Sequence, residues 1–217
     1  MLTSVADNVT FAGTEIGGTM DDPYFSAWAG KTIQYISDRL DDALAQRPNI
    51  ILLHAGTNDM NPDSDVSHEG HDANGAAHRL GALVDKMFLK CPDAVILVAM
   101  IIPITLAPQM PQTKEYQELI PAVVQARQAK GKHVFAVDFT KFPTSLIFDG
   151  VHPSSEGYRI MGDWWYDFIT QIPRRWITAP VGPDPKREKI NKGGPERNIP
   201  PLKWAFAGFV LALWLGI

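Results

Sequence analysis

The chain has 217 residues, 45% hydrophobic and 20% charged, which is ordinary globular material, long enough for one sizeable core plus a tail. A net charge of -4 provides no basic footprint, so nucleic acid is excluded as the expected partner. Cys91 is the single cysteine, which excludes an intrachain disulfide, and its apolar neighbours predict a buried, inert thiol. No basic, apolar signal segment opens the sequence between Met1 and Asn8.

The first predicted element is a short strand over Val9 to Gly13, followed by a Gly-, Asp- and Pro-rich loop from Thr14 to Gly30. From Thr32, Ile33, Ile36, Leu40 and Leu44 fall on one face at helical spacing, and Arg47-Pro48 ends the helix. Ile50 to Leu53 is a continuous apolar strand, the pattern of a parallel strand covered on both faces. A polar loop covers Asn61 to Asn74. A helix follows over Gly75 to Lys90, then a strand over Ala94 to Met100, a Pro-punctuated loop over Pro103 to Pro111, and a helix over Thr113 to Lys130. His133 to Asp138 is the last strand. Ser154 and Ser155 can cap a final helix bearing Tyr158, Ile160, Met161, Trp164, Trp165 and Phe168, an aromatic stripe read as core or cleft wall.

Strand and helix alternate throughout, which predicts a parallel sheet with helices on both faces, a three-layer α/β/α sandwich. Working residues of such sheets collect at the carboxyl ends of the strands. The domain organisation read from composition is a domain over 1–178, a Pro-rich basic linker over 179–201 and an apolar tail over 202–217.

Two motifs fall at that rim. Gly56-Thr57-Asn58-Asp59 follows the strand ending at Leu53, and Asp149-Gly150-Val151-His152-Pro153 precedes the last helix. A carboxylate three residues before a histidine in a Gly/Pro turn can fix the tautomer of the imidazole and stabilise its protonated form. Each residue also has a plainer reading. Asn58 and Asp59 suit a turn, Gly30 suits a helix start, and His68-Glu69-Gly70-His71-Asp72 has ligand-like types but no identifiable third ligand, so no metal and no cofactor are assigned.

Taken in order with Gly30 in Trp28-Ala29-Gly30-Lys31-Thr32, these motifs resemble the SGNH (GDSL-type) hydrolase superfamily over about Val9 to Ile169, and within it the carbohydrate esterases that deacetylate plant polysaccharides. The resemblance implies a flavodoxin-like sheet. It also implies His152 as general base, Asp149 as its orienting acid, Gly30 and Asn58 as oxyanion donors, and an acylated, acetyl-bearing carbohydrate as substrate. It further implies a nucleophilic serine in a Gly-Asp-Ser block ending the family's first strand.

No serine of this chain stands in that pattern. Ser4 lacks a preceding strand, and Ser26, Ser37, Ser64, Ser67, Ser145, Ser154 and Ser155 have other surroundings. The expectation is therefore a sheet lacking its first strand, with an open slot between Val9–Gly13 and Ile50–Leu53, poor folding and little esterase activity. A catalytically dead glycan-binding or membrane-scaffold module is the competing reading.

The tail Trp204 to Ile217 is read as an apolar helix. Its 14 residues span about 21 Å, short of a hydrocarbon core of about 30 Å, unless the span starts at Ile199 with Lys203 reaching the interface. It is a candidate membrane anchor. Lys186, Arg187, Lys189, Lys192, Arg197 and Lys203 favour a cytoplasmic domain, whereas the family is largely secreted, so the compartment stays open.

Overall fold

The computed structural model describes residues 9–18, 20–181, 185 and 209–215, the last seven as backbone. In chain order the strands are β1 (Val9–Ala12), β2 (Glu15–Ile16), β3 (Tyr24–Ala27), β4 (Ile50–His54), β5 (Val95–Met100), β6 (Val134–Asp138) and β7 (Phe209–Leu215). The helices are α1 (Ile33–Arg39), α2 (Asp41–Ala45), α3 (Ala73–Lys90), α4 (Met110–Gln128) and α5 (Ser155–Thr170).

β4 is buried at every residue, as its unbroken Ile-Ile-Leu-Leu run demands. It pairs in parallel with β5, Ile50 opposite Val95, and β5 pairs in parallel with β6, Ile96 opposite Val134. Alternate residues of these strands enter opposite layers. Ile51, Leu53, Ile96 and Val98 share a core with Ile36 of α1, Leu44 of α2, Leu80, Val84 and Met87 of α3, and Tyr116 and Ile120 of α4. Ile50, Leu52, Val95 and Leu97 join Phe139, Phe142 and α5 residues Met161 and Trp165 on the other face. The aromatic stripe of α5 is therefore core: the Phe139 ring lies 4.8 Å from Trp165, 5.6 Å from Trp164 and 5.7 Å from Phe168. Burying each such ring or aliphatic side chain stabilises the fold by roughly 1.5–3 kcal/mol.

Helix starts follow their caps. Asp72 Oδ1 accepts from Gly75 N–H at 2.5 Å for α3, and Ser154 Oγ accepts from Gly157 N–H at 3.1 Å for α5. The first predicted helix is two: the chain turns at Leu40 between α1 and α2, and Arg47, with φ of +56°, closes the second. The loop expected over Thr14 to Gly30 contains β2 and β3, which pair with each other, Glu15 opposite Phe25. Cys91 is buried, and burial raises its thiol pKa to about 11.

The largest departure from the sequence expectation concerns the slot and the tail. The space between β1 and β4 is not open. β7 lies in it, antiparallel to β4 from Ile50↔Leu213 to His54↔Phe209, and antiparallel to β1 and β3 on its other side. The sheet is thus mixed, and residues 209–215 form a strand rather than a helix. Two flanking strands with unpaired N–H and C=O groups can be satisfied together only by an extended segment, since a helix spends its backbone groups on itself. Phe-Val-Leu-Ala-Leu-Trp-Leu, apolar at every position, suits a strand covered on both faces. Residues 202–208 and 216–217 of the expected tail, and 182–184 and 186–201 of the expected linker, lie outside the described residues. Among the described residues no helix is long and apolar enough to cross a membrane.

Candidate active site

The turn before α5 is fixed by its own hydrogen bonds. Ile147 and Pro153 form a bridge, Phe148 N–H donates to His152 O at 3.0 Å, and Ser154 N–H donates to Leu146 O at 2.7 Å. Gly150 sits at the tip with φ of +89°, where an added Cβ would lie 2.7 Å from Leu106 Cδ2. Inside the turn, Asp149 Oδ1 accepts the backbone N–H groups of Val151 at 3.0 Å and His152 at 2.7 Å, while Oδ2 stands 2.7 Å from His152 Nδ1. Partial burial pushes the Asp149 carboxyl upward, but these hydrogen bonds from His152 and Val151 outweigh it and hold the pKa below the usual carboxylate range. An ionised Asp149 on Nδ1 favours the tautomer with its proton there, which leaves the basic lone pair on Nε2.

The second motif leaves β4 through a turn that only glycine fits. Gly56 has φ of +114°, and a Cβ there would lie 2.3 Å from Cε1 of Tyr116, whose hydroxyl donates to Ala55 O at 3.0 Å. Asn58 follows, largely buried, and its Nδ2 donates to Lys31 O at 2.9 Å, next to Gly30 with φ of +70°. Nδ2 carries two protons, so the bond to Lys31 orients the amide and leaves a second donor.

Asp59 is fully buried and ties three segments together. Its Oδ2 accepts the N–H of Ile33, the first residue of α1, at 3.0 Å, and its Oδ1 takes Arg79 Nε at 3.1 Å and Nη2 at 3.0 Å. Arg79 also reaches Glu69 O at 3.3 Å. Burial raises the pKa of Asp59; the Ile33 N–H and the Arg79 guanidinium oppose that rise without cancelling it.

The loop after β5 connects the two motifs. Gln109 Nε2 donates to Thr57 O at 2.6 Å, and Thr105 N–H donates to Gly150 O at 2.8 Å. His54, at the end of β4, accepts the N–H of Ile102 on Nε2 at 3.3 Å, and burial lowers its pKa to about 4. Gly30, Asn58, Asp149 and His152 therefore stand on loops joined by hydrogen bonds at the carboxyl rim of the parallel strands. Arg79, Gln109 and Thr105 were not singled out from the sequence. Their only signal there is an arginine beside the apolar stripe of α3 and polar residues in a Pro-rich loop.

The structure places some of the serines. Ser154 caps α5, Ser67 Oγ donates to Asn61 O at 2.8 Å, and Ser26 is buried in β3; Ser4 lies outside the described residues. Among the described residues no three His, Cys, Asp or Glu side chains gather as a metal site.

The profile of the GDSL-like Lipase/Acylhydrolase family matches residues 13–160. The chain belongs to that family. A putative endoglucanase X of Acetivibrio thermocellus is 27% identical over 146 residues, which cover 65% of this chain and 59% of that protein; the chain spans less than two thirds of this relative's length. A family 3 carbohydrate esterase of Clostridium thermocellum superposes with a TM-score of 0.61 at 25% identity, covering 78% of this chain and 81% of that one. A family 3 carbohydrate esterase of Talaromyces cellulolyticus shares the fold, with a TM-score of 0.61 at 20% identity, covering 75% and 81%. Within the GDSL family the match spans Gly30 and both rim motifs, including Asn58, Asp149 and His152.

Proposed function

We propose that the chain carries the base and oxyanion side of an ester-hydrolysing site directed at acetylated carbohydrate. The observation that carries this is the Asp149–His152 pair, with Nδ1 and Oδ2 2.7 Å apart and both Asp149 oxygens engaged inside the turn. Family membership and the likeness to a carbohydrate esterase support the substrate class.

In this reading His152 Nε2 takes the proton of an attacking hydroxyl and later returns it to the leaving sugar oxygen, while Asp149 stabilises the imidazolium. The tetrahedral oxyanion is held by Gly30 N–H and Asn58 Nδ2–H, each contributing about 3–4 kcal/mol to the barrier. No hydroxyl of the Gly-Asp-Ser type is present in the sequence, so the chain as given is proposed to turn ester over slowly or not at all. A second reading, a glycan-binding module without turnover, is favoured by one observation: β7 occupies the position where the resemblance places the serine-bearing strand.

Acetate release from acetylated xylo-oligosaccharide, with and without hydroxylamine as an added nucleophile, tests the first reading. The expected outcome is background release alone and acyl transfer to hydroxylamine that His152→Ala abolishes. Rapid release without hydroxylamine, with a serine labelled by a fluorophosphonate, would refute the missing nucleophile. No transfer under either condition leaves the glycan-binding reading.

A further inference from the structure

Phe148 immediately precedes Asp149 in the turn and is 65% exposed. Its backbone is not free to withdraw: its N–H is bonded to His152 O, and the turn is closed by the Ile147–Pro153 bridge and pinned at Gly150 by Thr105. The Phe148 ring centroid stands 6.4 Å from that of His152, with the planes 35° apart. Leu106, 44% exposed, packs against Gly150 at the tip of the same turn and extends the apolar wall. A rigidly held aromatic face stands in water beside the proposed base, whereas the other aromatics of the α5 side, Tyr166 excepted, pack inward.

The chemistry of acyl transfer indicates what meets it. The base that accepts the proton returns it to the leaving oxygen, so the alcohol half of the ester must depart from beside His152. A pyranose ring presents a face of axial C–H groups, apolar and slightly positive, that fits the negative face of an aromatic ring while its hydroxyls stay in water. We infer that Phe148, continued by Leu106, is the platform for the sugar ring that carries the ester, and so selects cyclic over linear alcohols. This rests on the carbohydrate-directed reading given above, but on binding alone and not on turnover.

The test is binding of partially acetylated xylotetraose to the full chain, by calorimetry and by saturation-transfer NMR. Phe148→Ala is expected to weaken binding about fivefold or more, and Phe148→Trp to keep or tighten it. Saturation should be strongest on the C–H protons of one ring face. Because the side chain is exposed, Phe148→Ala should melt within a degree or two of the unaltered protein. Binding indifferent to Phe148→Ala, or saturation confined to the acetyl methyl, overturns the platform alone. Failure of the unaltered chain to bind the glycan overturns the carbohydrate reading and the platform with it.

Discussion

Ending the chain at residue 208 removes β7 and leaves β4 facing an empty position along Ile50 to His54, where β7 now pairs with it. Alternate residues of a strand direct both N–H and C=O to the same neighbour, so about five backbone groups of β4 lose their partners in a fully buried strand. Each buried unsatisfied group costs about 1–3 kcal/mol, which sums to roughly 5–15 kcal/mol, as large as the whole stability of an ordinary domain. Loss of pairing to β1 and β3 adds to this. The shortened chain is expected to show no cooperative urea transition, where the full chain gives one. A peptide of residues 207–217 added in trans should restore it in part. A chain ending at 208 that unfolds cooperatively, with a midpoint stability within about 1 kcal/mol of the full chain, would refute the claim that β7 completes the sheet.

Other consequences are as specific. His54 has its pKa lowered to about 4 by burial, so the unfolded chain binds more protons below the usual 6.5; stability contributed by neutral His54 is complete above pH 6.5 and is lost as pH falls toward 4, about 3 kcal/mol in all, and His54→Asn should flatten that part of the stability profile measured in urea. Gly56→Ala forces a Cβ to 2.3 Å from the Tyr116 ring at a positive φ and should cost about 3 kcal/mol in chemical denaturation. Arg79→Met strands the Asp59 carboxylate and should cost about 3–5 kcal/mol at neutral pH. The pKa of Asp59, already raised by burial, then rises further, so the variant should recover stability on mild acidification, and the double variant Arg79→Met/Asp59→Asn should be more stable at neutral pH than Arg79→Met.

Much of the architecture was legible in the order of elements, because β4 and β5 are apolar runs bounded by clear turn residues and the helices between them carry long one-sided stripes. The placing of Gly30, Asn58, Asp149 and His152 on the rim loops was legible too, since each stands in a short local motif beside a strand or helix end. The failures have non-local causes. Seven apolar residues from Phe209 to Leu215 carry no period that separates a buried strand from a buried helix, and only the presence of two unpaired neighbours, far away in sequence, decides between them. β2 and β3 are too short and too mixed in burial to register as strands. Arg79 reads as an ordinary helix residue until Asp59, twenty positions earlier, is found buried beneath it.

The direction of β7 has a further meaning for the rim. Phe209, where β7 begins, pairs with His54, where β4 ends. A strand laid parallel in the same place would bring its last residue to the carboxyl rim, and whatever followed it would face the ligand. Reversed, the sheet receives the ladder it needs while the rim receives the beginning of the segment instead. An antiparallel strand can therefore complete the ladder of a sheet without bringing its own last residue to the carboxyl rim. A reactive side chain designed into this position of the fold would belong at 209, at the start of the strand, and not at its end near 215.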